Sequence, residues 1–179
     1  MSDDSLDHVL LNALRSVTGT QSCLYAAGPI TTSREYFIAL ATGASNEKDV
    51  TLKRREELAH FAATLRRSTG EVVIDPSLLQ VPGWGGSDYS RFFLQVIAQL
   101  CRQVWILDGW EYSYGVTQEV VLAMELRIPV MDSAGEVVEI ARAIGQISLA
   151  TSDLQELGVD TAKLECRLDS LKRILLTAN

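Results

Sequence analysis

Four short apolar runs, set apart from one another by helical stretches, constrain this chain more than any other feature of its sequence. They are Ser22-Cys23-Leu24-Tyr25-Ala26-Ala27 before Gly28-Pro29, Glu71-Val72-Val73-Ile74-Asp75 before Pro76, Val104-Trp105-Ile106-Leu107 before Asp108-Gly109, and Ile128-Pro129-Val130-Met131. Runs this short and this apolar fit strands buried on both faces, and the Gly, Pro and Asp residues that follow three of them are strand breakers. Between them lie a helix from Thr51 to about Ser68, with Leu58, Phe61, Ala62 and Leu65 on its inner face, one from Tyr89 to Cys101 opened by Asp88, and one from Thr117 to Leu126. Alternation at this spacing predicts a doubly wound, Rossmann-like or flavodoxin-like α/β fold with a parallel sheet. An amphipathic segment around Leu6 to Val17 precedes it. Residues 31–50 read as polar and mixed, with a loop at Gly43-Ala44-Ser45-Asn46, and Pro82-Gly83-Trp84-Gly85-Gly86-Ser87 reads as a mobile loop.

The α/β domain is expected over residues 1–149, with Val137 to Leu149 helical, and a helical extension over 150–179. There Leu154, Leu157, Leu164, Leu168, Leu171 and Leu175 form an apolar stripe that would pack on the chain's own sheet or on a second subunit.

A formal net charge of -7 opposes binding to a phosphodiester polymer, because no cluster of Lys and Arg is present to release its counterions. A single nucleotide is compatible, since a few backbone N–H groups and a hydroxyl hold one phosphate. No run approaches the ~18 apolar residues of a membrane span, and the start Met1-Ser2-Asp3-Asp4 lacks a basic leader, so a cytoplasmic protein away from membranes is expected. Cys23, Cys101 and Cys166 read as reduced core thiols, and His8 and His60 are too far apart to form a metal cluster. Neither a metal nor a cofactor is implied.

In open parallel sheets the ligand crevice lies at the carboxyl ends of the strands. The segments after the first three runs should therefore converge: Gly28-Pro29-Ile30, Pro76 to Asp88, and Asp108 to Glu119. Ser113 and Gly115 stand near a helix start, where unpaired amides and the helix dipole favour an anion. Glu119 follows about one turn inside, able to attack the anomeric carbon of a sugar through an oxocarbenium-like transition state. Each residue alone has an ordinary alternative: a carboxylate complementing the dipole for Glu119, caps for Ser113 and Gly115, and a core indole for Trp110.

Taken together, Tyr25-Ala26-Ala27-Gly28-Pro29-Ile30, Val73-Ile74-Asp75-Pro76 and Gly109-Trp110-Glu111-x-Ser113-x-Gly115-x-x-x-Glu119 resemble the motifs of the nucleoside 2-deoxyribosyltransferase superfamily, especially its deoxynucleoside 5′-monophosphate N-glycosidase branch. The resemblance covers roughly residues 22–132. It implies that Glu119 is the nucleophile, with Tyr25 beside it, that Ser113 holds a 5′-phosphate, and that Gly28, Pro29 and Ile30 line the base or sugar pocket. A homodimer or larger assembly is implied as well. From their loop positions, Trp84 and Trp110 would cover the base. The family often carries an Asp about eight residues before the third strand; here that count reaches Gln95, which cannot transfer a proton, so Asp88 or Asp108 is the candidate replacement.

The expected activity is cleavage or transfer of the N-glycosidic bond of a nucleoside 5′-monophosphate or nucleoside. The alternatives are a nucleotide-binding or sensing module without efficient catalysis, prompted by Gln95, and a doubly wound scaffold for protein interaction, prompted by the leucine-rich tail.

Overall fold

The structure, a computed structural model, describes residues 4–19, 22–43 and 47–177. Its sheet has four strands, β1 (Cys23–Ala27), β2 (Val73–Ile74), β3 (Cys101–Ile106) and β4 (Val130–Met131), all parallel and in the order β2-β1-β3-β4. Tyr25 stands opposite Ile74 on one side and Val104 on the other. The chain winds outward from β1 to β2 and then returns past β1 to β3. The winding direction thus reverses between β1 and β3, and a crevice opens beyond their carboxyl ends.

All five residues of β1 are fully sealed from solvent. Their side chains alternate between the faces of the sheet, as the pleat requires. Leu24 and Ala26 pack with Leu58, Ala62 and Leu65 of α3 (Glu47–Thr69), while Cys23, Tyr25 and Ala27 enter the larger core on the opposite face. That core is built on α4 (Gly86–Leu100) and α5 (Tyr114–Glu125), with α1 (Asp4–Thr18) lying against α4. The sheet is therefore covered on both faces, which gives the expected doubly wound α/β architecture. Gly28 follows β1 at a close approach: a Cβ there would lie 3.0 Å from Leu58 Cδ1 and 3.4 Å from Leu107, leaving little room for a side chain.

Several boundaries differ from the sequence reading. A helix, α2 (Arg34–Thr42), occupies part of the stretch read as polar and mixed. Its Ser33 cap accepts the Tyr36 N–H at 3.2 Å and Gly43 ends it with φ 67°, but its buried residues, Phe37 and Ala39, are too few for a clear period. Helix α3 starts at Glu47 rather than Thr51, and residues 44–46 of the expected loop lie outside the described residues. Helix α4 takes up Gly86 and Ser87 from the expected 82–87 loop. Asp88 is not the residue before the helix but lies inside its first turn, where its carboxylate accepts the Gly85 N–H at 2.9 Å. Strand β2 shrinks to two residues, and α5 begins at Tyr114 because Ser113 caps it there.

The expected boundary at 149–150 falls in the middle of α6 (Ile140–Glu156), so the final helices are not a separate appendage. Leu154, Leu164 and Leu171 are fully buried; with Leu168 they join the core that contains Val120, Val121 and Met124 of α5. The last helix, α7 (Ala162–Thr177), rests on α5 and α6. Most of the leucine stripe is thus buried inside its own chain and is not left as a contact between copies. Cys23 and Cys101 are buried free thiols as expected, but Cys166 is exposed on α7. Among the described residues no helix is long and apolar enough to cross a membrane.

If the terminal helices share the domain core, Leu164→Ala should lower stability by about 2–5 kcal/mol within a single cooperative urea transition. An unchanged midpoint would mean that α7 is detachable from the fold.

Candidate functional site

Beyond the ends of β1 and β3 lies a cavity of about 230 Å³, lined by Gly28, Ile30, Ser90, Ser113, Gly115 and Glu119 among others. Larger hollows exist, about 640 Å³ beside α5 and α7 and about 730 Å³ along α3. The second of these also borders Leu107 and Asp108 after β3, but neither contains a carboxyl buried and held as Glu119 is, so chemistry rather than size singles out the smaller cavity.

Glu119 reaches this cavity from the second turn of α5. Its Oε1 accepts a hydrogen bond of 2.8 Å from the Tyr25 hydroxyl. The contact follows from strand register: Tyr25 is the middle residue of β1, and its side chain leaves the sheet on the side of α5. Burial raises the Glu119 carboxyl from the ordinary 4.5 to about 7, against the smaller lowering effect of the Tyr25 hydrogen bond. Tyr25 is itself pushed well above 10.0, chiefly by burial and then by the nearby Glu119 charge. The pair near neutral pH is therefore a neutral phenol donating to a carboxyl balanced between its two protonation states.

At the other end of the cavity stands the first turn of α5. Ser113 Oγ accepts the Val116 N–H at 3.3 Å and the Thr32 hydroxyl at 3.3 Å, which leaves its own O–H for a ligand. The Thr32 hydroxyl also accepts the Tyr114 N–H at 3.1 Å, and Ser113 O accepts the Thr117 N–H at 2.9 Å. Those bonds engage the amides around Gly115 but not that of Gly115 itself, which sits on the cavity lining. One hydroxyl and one amide at a helix start suit an anionic oxygen.

The structure brings together Glu119, Tyr25, Gly28, Ile30, Ser113 and Gly115. Pro29 is buried between two lining residues without lining the cavity. Asp88 does not meet the cavity; its carboxylate is engaged by Gly85 N–H and, at 3.3 Å, by Arg91. Asp108 is exposed outside it and accepts from Ser133 Oγ at 2.8 Å. Gly109 turns the chain with φ 84°, and Trp110 is a core residue, only 2% exposed, so it cannot cover a base. Trp84 packs its ring 5.1 Å from Tyr89 and 5.4 Å from Phe92, behind the cavity wall.

The aromatic wall belongs instead to Tyr89 and Phe93, whose rings are nearly parallel with centroids 6.5 Å apart. Sequence reading missed them because their spacing is that of an ordinary core face on α4. It also missed Arg55, a half-buried cation of α3 on the lining, since an arginine in a charged helix reads as solvated surface. Among the described lining residues Glu119 is the one carboxylate, and Gln95 is not part of the lining.

The raised carboxyl has a signed consequence for stability. Between pH ~4.5 and ~7 the folded chain keeps a proton on Glu119 that the unfolded chain has lost, so stability falls as pH rises through that window. Glu119→Gln should match the wild type at the acidic end of this window and exceed it by on the order of 1–3 kcal/mol at pH 8 in urea titrations. Equal stability at pH 8 would contradict the electrostatics described.

The family model described as Domain of unknown function (DUF4406) matches residues 22–132, more than half of the chain and all four strands. No curated protein and no solved structure matches it.

Proposed function

The chain belongs to the family described as Domain of unknown function (DUF4406), and we propose that it cleaves or transfers the N-glycosidic bond of a nucleoside 5′-monophosphate or nucleoside. The observation that carries this reading is the disposition of Glu119: a carboxyl raised to about 7, steadied by Tyr25, in a cavity whose far end offers Ser113 and Gly115. The motifs that resemble the nucleoside 2-deoxyribosyltransferase superfamily supply most of these groups.

In the proposed reaction an oxygen of ionised Glu119 attacks the anomeric carbon as the C–N bond breaks. The base leaves with the bonding electrons and takes a proton from water. The sugar remains as an ester of Glu119; water or a second base, losing a proton to the hydroxide left by the first step, then attacks the same carbon and frees the carboxylate, so the configuration is retained overall. Tyr25 steadies the carboxylate before attack and after release by donating its hydrogen bond. Tyr89 and Phe93 flank the base, and Ser113, Gly115 and Arg55 hold the phosphate when one is present.

A second reading is favoured by one observation: no other carboxyl lines the cavity among the described residues, whereas retaining glycosidases ordinarily use two. On that reading the chain binds nucleotides without efficient turnover. Chromatographic assay of base release from ribo- and deoxyribonucleoside monophosphates and their nucleosides separates the two. The enzyme reading expects release that disappears in Glu119→Ala, and binding without release supports a nucleotide receptor.

Because the nucleophile must be ionised, kcat/KM for base release should rise with pH through about 7 and level off above it. A rate that falls over the same interval would assign Glu119 the role of acid. Ser113→Ala and Arg55→Gln should each weaken monophosphate binding by roughly 1.5–3 kcal/mol while sparing the nucleoside. Equal weakening of both ligands, measured by calorimetry, would remove the phosphate from these residues.

A further inference from the structure

Two loops bound the cavity, residues 28–33 after β1 and residues 107–113 after β3, and one side chain from outside it touches both the residue that follows the first and a residue within the second. Asp153 lies on α6, beyond the stretch matched by the family model. Its Oδ2 accepts from Arg34 Nε at 2.6 Å and its Oδ1 from Arg34 Nη2 at 3.2 Å, a two-pronged grip on the residue that follows the first loop. The Tyr112 hydroxyl donates to the same Oδ2 at 2.9 Å, from within the second loop.

A parallel tether lies two residues further on. The Tyr114 hydroxyl donates to the Asp160 carbonyl at 2.7 Å, and Lys163 Nζ stands 5.1 Å from the centre of the Tyr114 ring. Ser113, whose hydroxyl faces the cavity, is thus placed between two tyrosines that are both anchored to the segment after residue 150. Directly across the crevice the loops meet through the Thr32 hydroxyl, with bonds of 3.1 Å from Tyr114 N–H and 3.3 Å to Ser113 Oγ. These are at the long end for hydrogen bonds. Two of the three charge-assisted contacts to Asp153, from Arg34 Nε at 2.6 Å and the Tyr112 hydroxyl at 2.9 Å, are shorter, and together they join the end of the first loop to the second.

We infer that Asp153 is a positioning residue: from α6 it sets the spacing of the two cavity loops, and through them the distance across the cavity from Ile30 and Thr31 to the Ser113 hydroxyl. The terminal helices are on this account a working part of the site. The inference rests on the proposed function only for the nature of the ligand. The Arg34 and Asp153 side chains are 48% and 28% exposed, so their pairing adds little to global stability. Its effect is local, on the geometry of two loops that β1 and β3 hold only at their starts.

The test uses the full chain with Asp153→Asn, which keeps the size and removes the charge, and Asp153→Glu, which restores the charge. Amide exchange read by mass spectrometry should accelerate roughly tenfold in peptides covering residues 28–36 and 108–116 of Asp153→Asn, with exchange in β1 and α4 unchanged. Affinity for 2′-deoxyguanosine 5′-monophosphate should fall about fivefold, chiefly as a rise in KM where turnover is measured, and Asp153→Glu should recover part of both effects. Unchanged exchange in the two loops, or acceleration spread evenly over the chain, would overturn the inference. Loosened loops in a protein that binds no ribo- or deoxyribonucleotide or nucleoside even as wild type would uphold the role of Asp153 and count against the proposed function.

Discussion

The parallel pairing of β1 with β3 is the constraint on which the rest of this structure depends. Register places Tyr25 opposite Val104, and the sealed surroundings of β1 allow the tyrosine ring one direction, toward α5. The same pairing brings the ends of the two strands side by side, so the loops that leave them are neighbours although about eighty residues separate them in sequence. The contact between Tyr25 and Glu119, and that between Thr32 and Ser113, are both products of this one pairing. Helix α3 on the other face matters because it fills the space behind Gly28 and keeps the crevice between helix starts and strand ends narrow.

Helix α5 does two kinds of work within its first two turns. Its start is capped by Ser113, which orders the helix, yet the capping hydroxyl retains a proton to donate. Its second turn carries Glu119 into apolar surroundings, where the charged form is disfavoured. A residue spacing set by helix geometry therefore separates a polar end of the cavity, suited to an anion, from an end where a carboxyl is readily neutralised. Such a division of polarity over less than two helical turns is what a substrate with a charged tail and an apolar ring would meet.

The architecture and the core of the site were legible in the sequence because both rest on local signals. Short apolar runs ending in Gly or Pro marked the strands, and a polar cluster at a strand end marked Ser113, Gly115 and Glu119. Helix α2 was not legible, because a nine-residue helix with two buried positions leaves almost no apolar period. Trp110 was misplaced for a different reason: loop membership says nothing of whether a side chain turns inward, and this one fills the core at 2% exposure. Asp88 fits a helix cap or a replacement acid on sequence alone; it lies within the first turn, holding Gly85, which is a structural role. Arg55, Tyr89 and Phe93 reach the site only through the packing of α3 and α4 around the crevice, information that no linear motif holds.

A carboxyl balanced near neutrality makes the charge of the cavity a variable set by its occupant. An occupant that brings negative charge close to Glu119 draws a proton from the surroundings, and one that brings positive charge, as a developing oxocarbenium ion does, expels it. Occupancy and proton exchange are then two aspects of one equilibrium. The heat of association includes the heat with which the buffer gives up or accepts that proton, so the apparent enthalpy at this site belongs jointly to the protein, the ligand and the solution around them.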